Sequence, residues 1–298
     1  MLLSLADGSQ IRGDLIASAT LRSDLAPVPM TLEADITVGD ASIERQLAQD
    51  QTITTGSGDK FRIVKSVKAQ GKDVQGERLK AVMRVTALLD SCHAVAFVRN
   101  RAIIREQASL AAIYRAAGAT IRAIGADFPV PRFYCPVGDT PTFHVARVLQ
   151  EEGGVVRWKD GRLAFIRLPD LFKQAPITTL PHNASDDVES GFLERHELPF
   201  FYSIDAAAGF VFGNRDKPRI ARFAPFQNEQ RLRNMSRCLL RARVVKVPLD
   251  MTIGAGELVR FSDGSELAVI TAAHVWGATS GDGPGKSYTR LWLGALEG

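Results

Sequence analysis

A chain of 298 residues, 45% hydrophobic and 23% charged, has enough apolar surface for one large or two to three small cores, which excludes disorder along its whole length. Its 37 Lys and Arg against 33 Asp and Glu leave a net charge of only +4, with the basic residues scattered, so charge gives no support to sequence-specific nucleic-acid binding. Three cysteines, Cys92, Cys135 and Cys238, stand far apart with no Cys-x-x-Cys pair, which argues against a disulfide framework or a zinc site.

The start, Met1 to Gly8, is apolar but lacks the basic leader and the apolar length of a signal peptide, and no run of roughly 18 apolar residues spans a bilayer. Assembly in a reducing cytosol is the expectation. Ala6-Asp7-Gly8-Ser9, Gln10 to Arg12 and Leu15 to Leu21 read as a hairpin and meander, and Met30 to Val38 alternates apolar and polar residues over nine positions. One face of that strand is expected to be buried. Phe61 to Val64 and Leu79 to Leu88 read as further strands around a polar turn from Gly71 to Gly76.

After about residue 90 the character changes. Glu106 to Ala117 is rich in helix formers ahead of Gly118, and a second helix is expected from Thr140-Pro141 to Glu152, stopped by Gly153-Gly154, with Phe143, Ala146 and Leu149 on its buried face. Val155 to Trp158 and Arg162 to Ile166 flank Lys159-Asp160-Gly161, a hairpin signal. Pro169 to Pro199, with Asn183-Ala184-Ser185 and the acidic Asp186, Asp187 and Glu189, reads as a long connection. Strand character then returns in Val244 to Val247, Glu257 to Phe261, the Asp263-Gly264 hairpin, Leu267 to Val275 and Tyr288 to Leu296. The fold class expected is mainly β with an α+β insertion, divided at 1–88, 89–200 and 201–298.

The sharpest catalytic lure is Val269-Ile270-Thr271-Ala272-Ala273-His274-Val275, which is similar to the histidine segment of chymotrypsin-like proteases. That chemistry places its histidine before an aspartate and a distant serine, whereas only 24 residues follow His274 and Ser280-Gly281-Asp282-Gly283-Pro284 has the nucleophile loop's composition in the wrong order. The segment therefore reads as a structural strand with His274 at or near its end. Cys92-His93 fails as a thiol–base pair if both lie in a strand, where neighbours face apart, and Cys135 before Pro136 has no identifiable partner. His144, His182 and His196 lack metal-ligand spacing, Glu194 and Glu197 are too close in sequence to flank a sugar, and no Gly-rich loop opens a helix with Gly-Lys-Ser/Thr. Arg231, Arg233, Arg237, Arg241 and Arg243 read as a solvated or interface face rather than a phosphate site. The expectation is no enzyme, no catalytic, cofactor or metal residue, and no cofactor.

Three stretches together resemble the phage tail hub family, late control protein D, to which the N-terminal part of the type VI secretion spike protein is similar. They are the meander Ile11 to Ala19 with Leu32 to Val38 and Phe61 to Lys65; the helix, glycine stop and hairpin from Gly138 to Phe165; and the closing strands Ile253 to Phe261 and Leu267 to Val275. The resemblance implies two tube-type, β-barrel-like domains around a smaller α+β domain, and a homotrimeric virion structural protein of the tail tip or baseplate. Three such chains present six similar β surfaces and adapt a sixfold tail tube to a threefold spike. Implied partners are further copies of the chain, the tail tube protein, a spike or needle protein and other baseplate proteins, with assembly in the host cytoplasm. The expectation is also that no fused spike or lysozyme domain follows the last strand. Two other readings stay open: a peptidoglycan or peptide hydrolase using His274 or the Cys92 region, and a tail-tip carbohydrate-binding module using the aromatic stretch Phe192 to Phe226, with Phe200, Phe201, Tyr202, Phe210 and Phe212.

Overall fold

Alternating apolar residues build the first third of the chain. A computed structural model describes residues 1–39, 41–75, 78–182, 185–187, 198–207, 209–215, 219–277 and 286–297. Strands Leu3–Ser4 (β1), Ile16–Asp24 (β2), Met30–Val38 (β3) and Thr52–Thr55 (β4) precede the long pair Lys60–Gln75 (β5) and Arg78–Leu89 (β6), with helix Ala41–Gln46 (α1) between β3 and β4. β3 buries Met30, Leu32, Ala34, Ile36 and Val38 and turns Thr31, Glu33 and Asp35 outward, as its period of two requires. The turn expected from Gly71 to Gly76 is a departure: β5 continues to Gln75, its pairing slipping between Gln70 and Val74, and Gly76 lies outside the described residues. A slipped ladder lets a strand carry glycine without stopping.

The middle is α+β. It runs through Ile103–Ser109 (β7), Leu110–Ala116 (α2), Ile124–Gly125 (β8), Pro129–Cys135 (β9), Pro141–Glu151 (α3), Gly154–Lys159 (β10), Arg162–Arg167 (β11) and Leu168–Leu171 (α4). The helix expected from Glu106 is shorter, because residues up to Ser109 pair with β9 and the Ser109 hydroxyl caps α2 by accepting from the Ala112 amide at 3.2 Å. α3 begins at Pro141 as expected, but its buried side is His144, Val145, Val148 and Leu149, and Phe143 is 71% exposed. Gly153 stops it at φ +67°, a conformation glycine adopts freely. Asp160 at φ +51° and Gly161 at φ +70° form the two-residue turn that pairs Lys159 with Arg162.

The connection from Pro169 to Pro199 also departs from a plain loop. It holds α4, Thr178–Leu180 (β12) and Ser185–Asp187 (β13), which pair with later strands; Asn183, Ala184 and Glu189 lie outside the described residues. Phe200–Ile204 (β14), Phe210–Phe212 (β15) and Ala221–Phe223 (β16) form a small sheet, followed by Glu229–Met235 (α5), Cys238–Pro248 (β17), Leu258–Phe261 (β18), Glu266–Gly277 (β19) and Ser287–Glu297 (β20).

The first and last thirds meet in one twelve-stranded sheet with the order β1-β4-β5-β6-β3-β2-β19-β20-β17-β13, β18 pairing β19 and β12 pairing β18. The join is β2 against β19, antiparallel from Asp24↔Thr271 to Ser18↔Gly277. One core runs from the N-terminal strands into the middle segment through Ile36, Phe61, Tyr114, Phe133 and Phe165; a second lies around Val245, Phe261, Val269 and Leu291, and a third joins the small sheet to α5 through Phe201, Leu232 and Met235. Polar bolts hold these parts together. The fully buried Tyr114 donates its hydroxyl to the Pro27 carbonyl at 2.9 Å. Arg157 on β10 donates to the Gly256 carbonyl at 2.7 Å and to Gln174 Oε1 at 2.9 Å. Gly256 sits at φ +85°, and a Cβ there would stand 2.7 Å from Arg157 Cδ, so the contact requires glycine.

Candidate functional site

His274 lies inside β19, three residues short of its end, and is 4% exposed. Its Nδ1 is 3.0 Å from the hydroxyl of Thr289, its partner across the ladder on β20. A hydroxyl beside an imidazole is the skeleton of a nucleophile–base pair. Here Thr289 is fully buried; its oxygen accepts from the Asp250 amide at 2.9 Å and its proton goes to the Asp250 carbonyl at 3.3 Å, which leaves His274 Nδ1–H as the donor of the third bond. The Asp250 carboxylate accepts instead from Thr252, at 2.6 Å from its hydroxyl and 2.9 Å from its amide, and these bonds hold its pKa below the usual carboxylate range. Burial lowers the His274 pKa, partly opposed by the nearby Asp250 charge. The group is a packed polar knot tying the β17–β18 connection to β19 and β20.

Cys92 and His93 do not share a strand: Cys92 precedes the single 3-10 turn His93–Ala96. Cys92 is fully buried and burial pushes its thiol up to about 11, while His93 Nδ1 sits 2.7 Å from the Asp90 carbonyl. Burial also raises Cys135 and Cys238, so none of the three thiols is poised as a thiolate. His144 pairs with Asp139 at 3.0 Å and His182 with Asp263 at 2.7 Å; Glu194, His196, Glu197 and Ser280 to Pro284 lie outside the described residues. Among the described residues no His, Cys, Asp and Glu group is arranged for a metal ion, and no helix is long and apolar enough to cross a membrane. The arginine run divides between α5 and β17. Arg231 pairs with Glu152 at 2.9 Å, Arg233 with Glu229, and Arg243 stacks on Phe261 at 4.3 Å beside Asp263.

Surfaces dominate what is left. The open side of the large sheet crosses the β2–β19 join and carries the cross-strand pairs Arg84 with Asp35 at 2.8 Å and Lys246 over the Tyr288 ring at 4.0 Å, and, along β20, Arg290 over Trp292 at 5.2 Å. It is a long, polar, solvated face. The small sheet is its opposite in character. Phe201 points into the core against α5, but Tyr202, Phe210, Phe212 and Phe223 gather on the other side with ring centroids 5.4 to 6.2 Å apart. Phe210 is 64% and Phe223 51% exposed, and Phe226, at φ +60°, is 95% exposed. From Phe200 onward the aromatic stretch is thus divided between core and surface; Phe192 lies outside the described residues. A second apolar surface lies around Ile104, Tyr134 and Phe143, which are 63%, 46% and 71% exposed; the helical spacing that puts Phe143 on a buried face conceals it in the sequence.

No protein-family profile matches the sequence, and no curated protein matches it. Solved structures do match the fold. A tail protein from Neisseria meningitidis superposes with a TM-score of 0.67 at 12% identity, over 99% of this chain and 96% of that one. The 43 kDa tail protein of prophage MuSo2 from Shewanella oneidensis gives a TM-score of 0.65 at 13% identity, over 99% and 97%. An E. coli component of the type VI secretion system, itself described as similar to bacteriophage tail proteins, gives 0.55 at 9% identity, over 95% and 74%. The chain has the fold of phage tail and type VI spike-related proteins.

Proposed function

We propose that the chain is a non-enzymatic structural subunit of a phage-type tail, a homotrimeric hub at the tail tip or baseplate that adapts a sixfold tube to a threefold spike. The observation that carries this reading is the join of β2 to β19 in one sheet. It sets strands from the first and last thirds side by side, so one chain offers two neighbouring β surfaces and three chains offer six. In this reading residues 1–88 and 201–298 supply the tube-type, barrel-like units and 89–200 the α+β unit.

Two turns support a kinship between the flanking units. At Asp7-Gly8-Ser9 and at Asp263-Gly264-Ser265 the aspartate accepts from the serine hydroxyl at 2.6 Å and from the serine amide at 2.8 and 2.9 Å, and both glycines lie at φ +85°. The long strand edges of an isolated chain need partners, and a ring of copies with a tube above supplies them. Partners are therefore the tube protein, a spike or needle protein and other baseplate proteins, in the virion after cytoplasmic assembly. No cofactor enters the role. The raised thiols and the buried His274–Thr289 pair support a role without catalysis.

Co-expression with the tube and spike proteins of the same tail tests the reading. A complex with three copies of this chain per spike trimer is expected. A chain that binds neither protein at micromolar concentration contradicts it, as does hydrolysis of peptidoglycan that is lost in His274→Ala or Cys92→Ala.

A further inference from the structure

Two apolar faces of similar size stand exposed on this chain with two helices between them. The first is the outer side of the β14–β16 sheet, where Ile204, Phe210 and Phe223 are 45%, 64% and 51% exposed and Phe226 follows at 95%. The second lies on the β7–β9 ribbon and its surroundings, where Phe97, Val98, Ile104, Tyr134, Val137 and Phe143 are each at least 46% exposed. Ile104 and Tyr134 are partners across that ribbon. The ribbon packs on α3, α3 on α5, and α5 on the small sheet, so one molecule cannot bring its own two faces together.

We propose that these faces mate head to tail between copies of the chain and close the ring of the hub; the inference rests on the homotrimeric reading above. Each face exposes on the order of 600 Å² of apolar surface, given the ~150–250 Å² a buried aromatic side chain covers. That is the upper end for the largest patch on an ordinary monomer and close to the ~800 Å² one partner contributes to a stable interface. The chemistry is complementary as well. The sheet face offers ring faces, and the ribbon face carries Arg132, in step with Tyr134 on β9, and Arg147, already over Tyr134 at 5.6 Å. A sugar platform pairs aromatic faces with several hydrogen-bonding side chains, whereas this sheet face sets Phe210 beside Ile204, with Arg215 over Phe212 at 4.5 Å. Because the two faces differ, the contact is heterologous, and heterologous contacts that close make rings.

Two double variants of the full chain test this: Phe210→Asp with Phe223→Asp on the sheet face, and Ile104→Asp with Phe143→Asp on the ribbon face. Circular dichroism establishes that each folds; Phe226→Asp and Val137→Asp, both at open positions, replace a pair that does not. Each variant alone is expected to be monomeric at concentrations where the parent is a closed oligomer, a weakening of roughly 30-fold or more. Mixed one to one, they should form dimers and nothing larger, since one intact contact remains. An oligomer that persists in both variants overturns this interface and leaves the hub reading standing. A parent that is monomeric overturns both. Binding to a panel of bacterial surface glycans, lost in the sheet-face variant while its oligomer is unchanged, assigns that face to sugar and overturns the proposal.

Discussion

His274 is where the physics of a single residue decides between chemistry and structure. Burial disfavours its imidazolium, and its Nδ1 proton is held by a hydroxyl that is itself fixed to the Asp250 backbone. Its folded pKa is lowered from 6.5, so the unfolded chain binds the proton more readily. The stability this group contributes is complete above pH ~6.5 and is lost as pH falls through the folded value, by at most about 1.4 kcal/mol per pH unit. Wild type should therefore lose more unfolding free energy between pH 7 and 5.5 than His274→Gln does. Parallel losses in denaturant titrations at the two pH values would remove the protonation argument.

At the scale of elements, the β2–β19 ladder that joins the first and last thirds is flanked by polar contacts distant in sequence. The Ser23 hydroxyl accepts from the Ala255 amide at 2.9 Å, and Thr271 donates to Asp24 at 2.6 Å. Ser23→Ala leaves a buried amide without its acceptor and should cost about 1–3 kcal/mol, read as a lower denaturant midpoint with an unchanged slope. A shift within error would show that the join does not need this bond. Contacts of this kind are invisible in a sequence, because nothing local in Ser23 announces a partner 232 residues away. Local pattern carried the rest: the alternation of Met30 to Val38, the Asp160-Gly161 turn and the Pro141 start of α3 all follow from backbone preferences and side-chain period. It failed where tertiary pairing overrode propensity, in the residues before Ser109 that join β9 instead of extending a helix. Phe143 failed for a different reason. A large aromatic residue reads as core, and here it faces outward on α3.

For the whole molecule, the twelve-stranded sheet is the feature that links fold to role. A chain made of separate β, α+β and β pieces could serve as a tether; one whose terminal thirds share a ladder presents them as a single wall. The fold match to tail proteins at 12 and 13% identity agrees with that architecture. The His274 segment, the strongest catalytic lure in the sequence, is itself the β19 side of that join, with His274 opposite Leu21. The most direct test of the hub account is the native mass of the purified full chain at micromolar concentration. Three copies per particle is the result predicted, and a monomer across that range contradicts it.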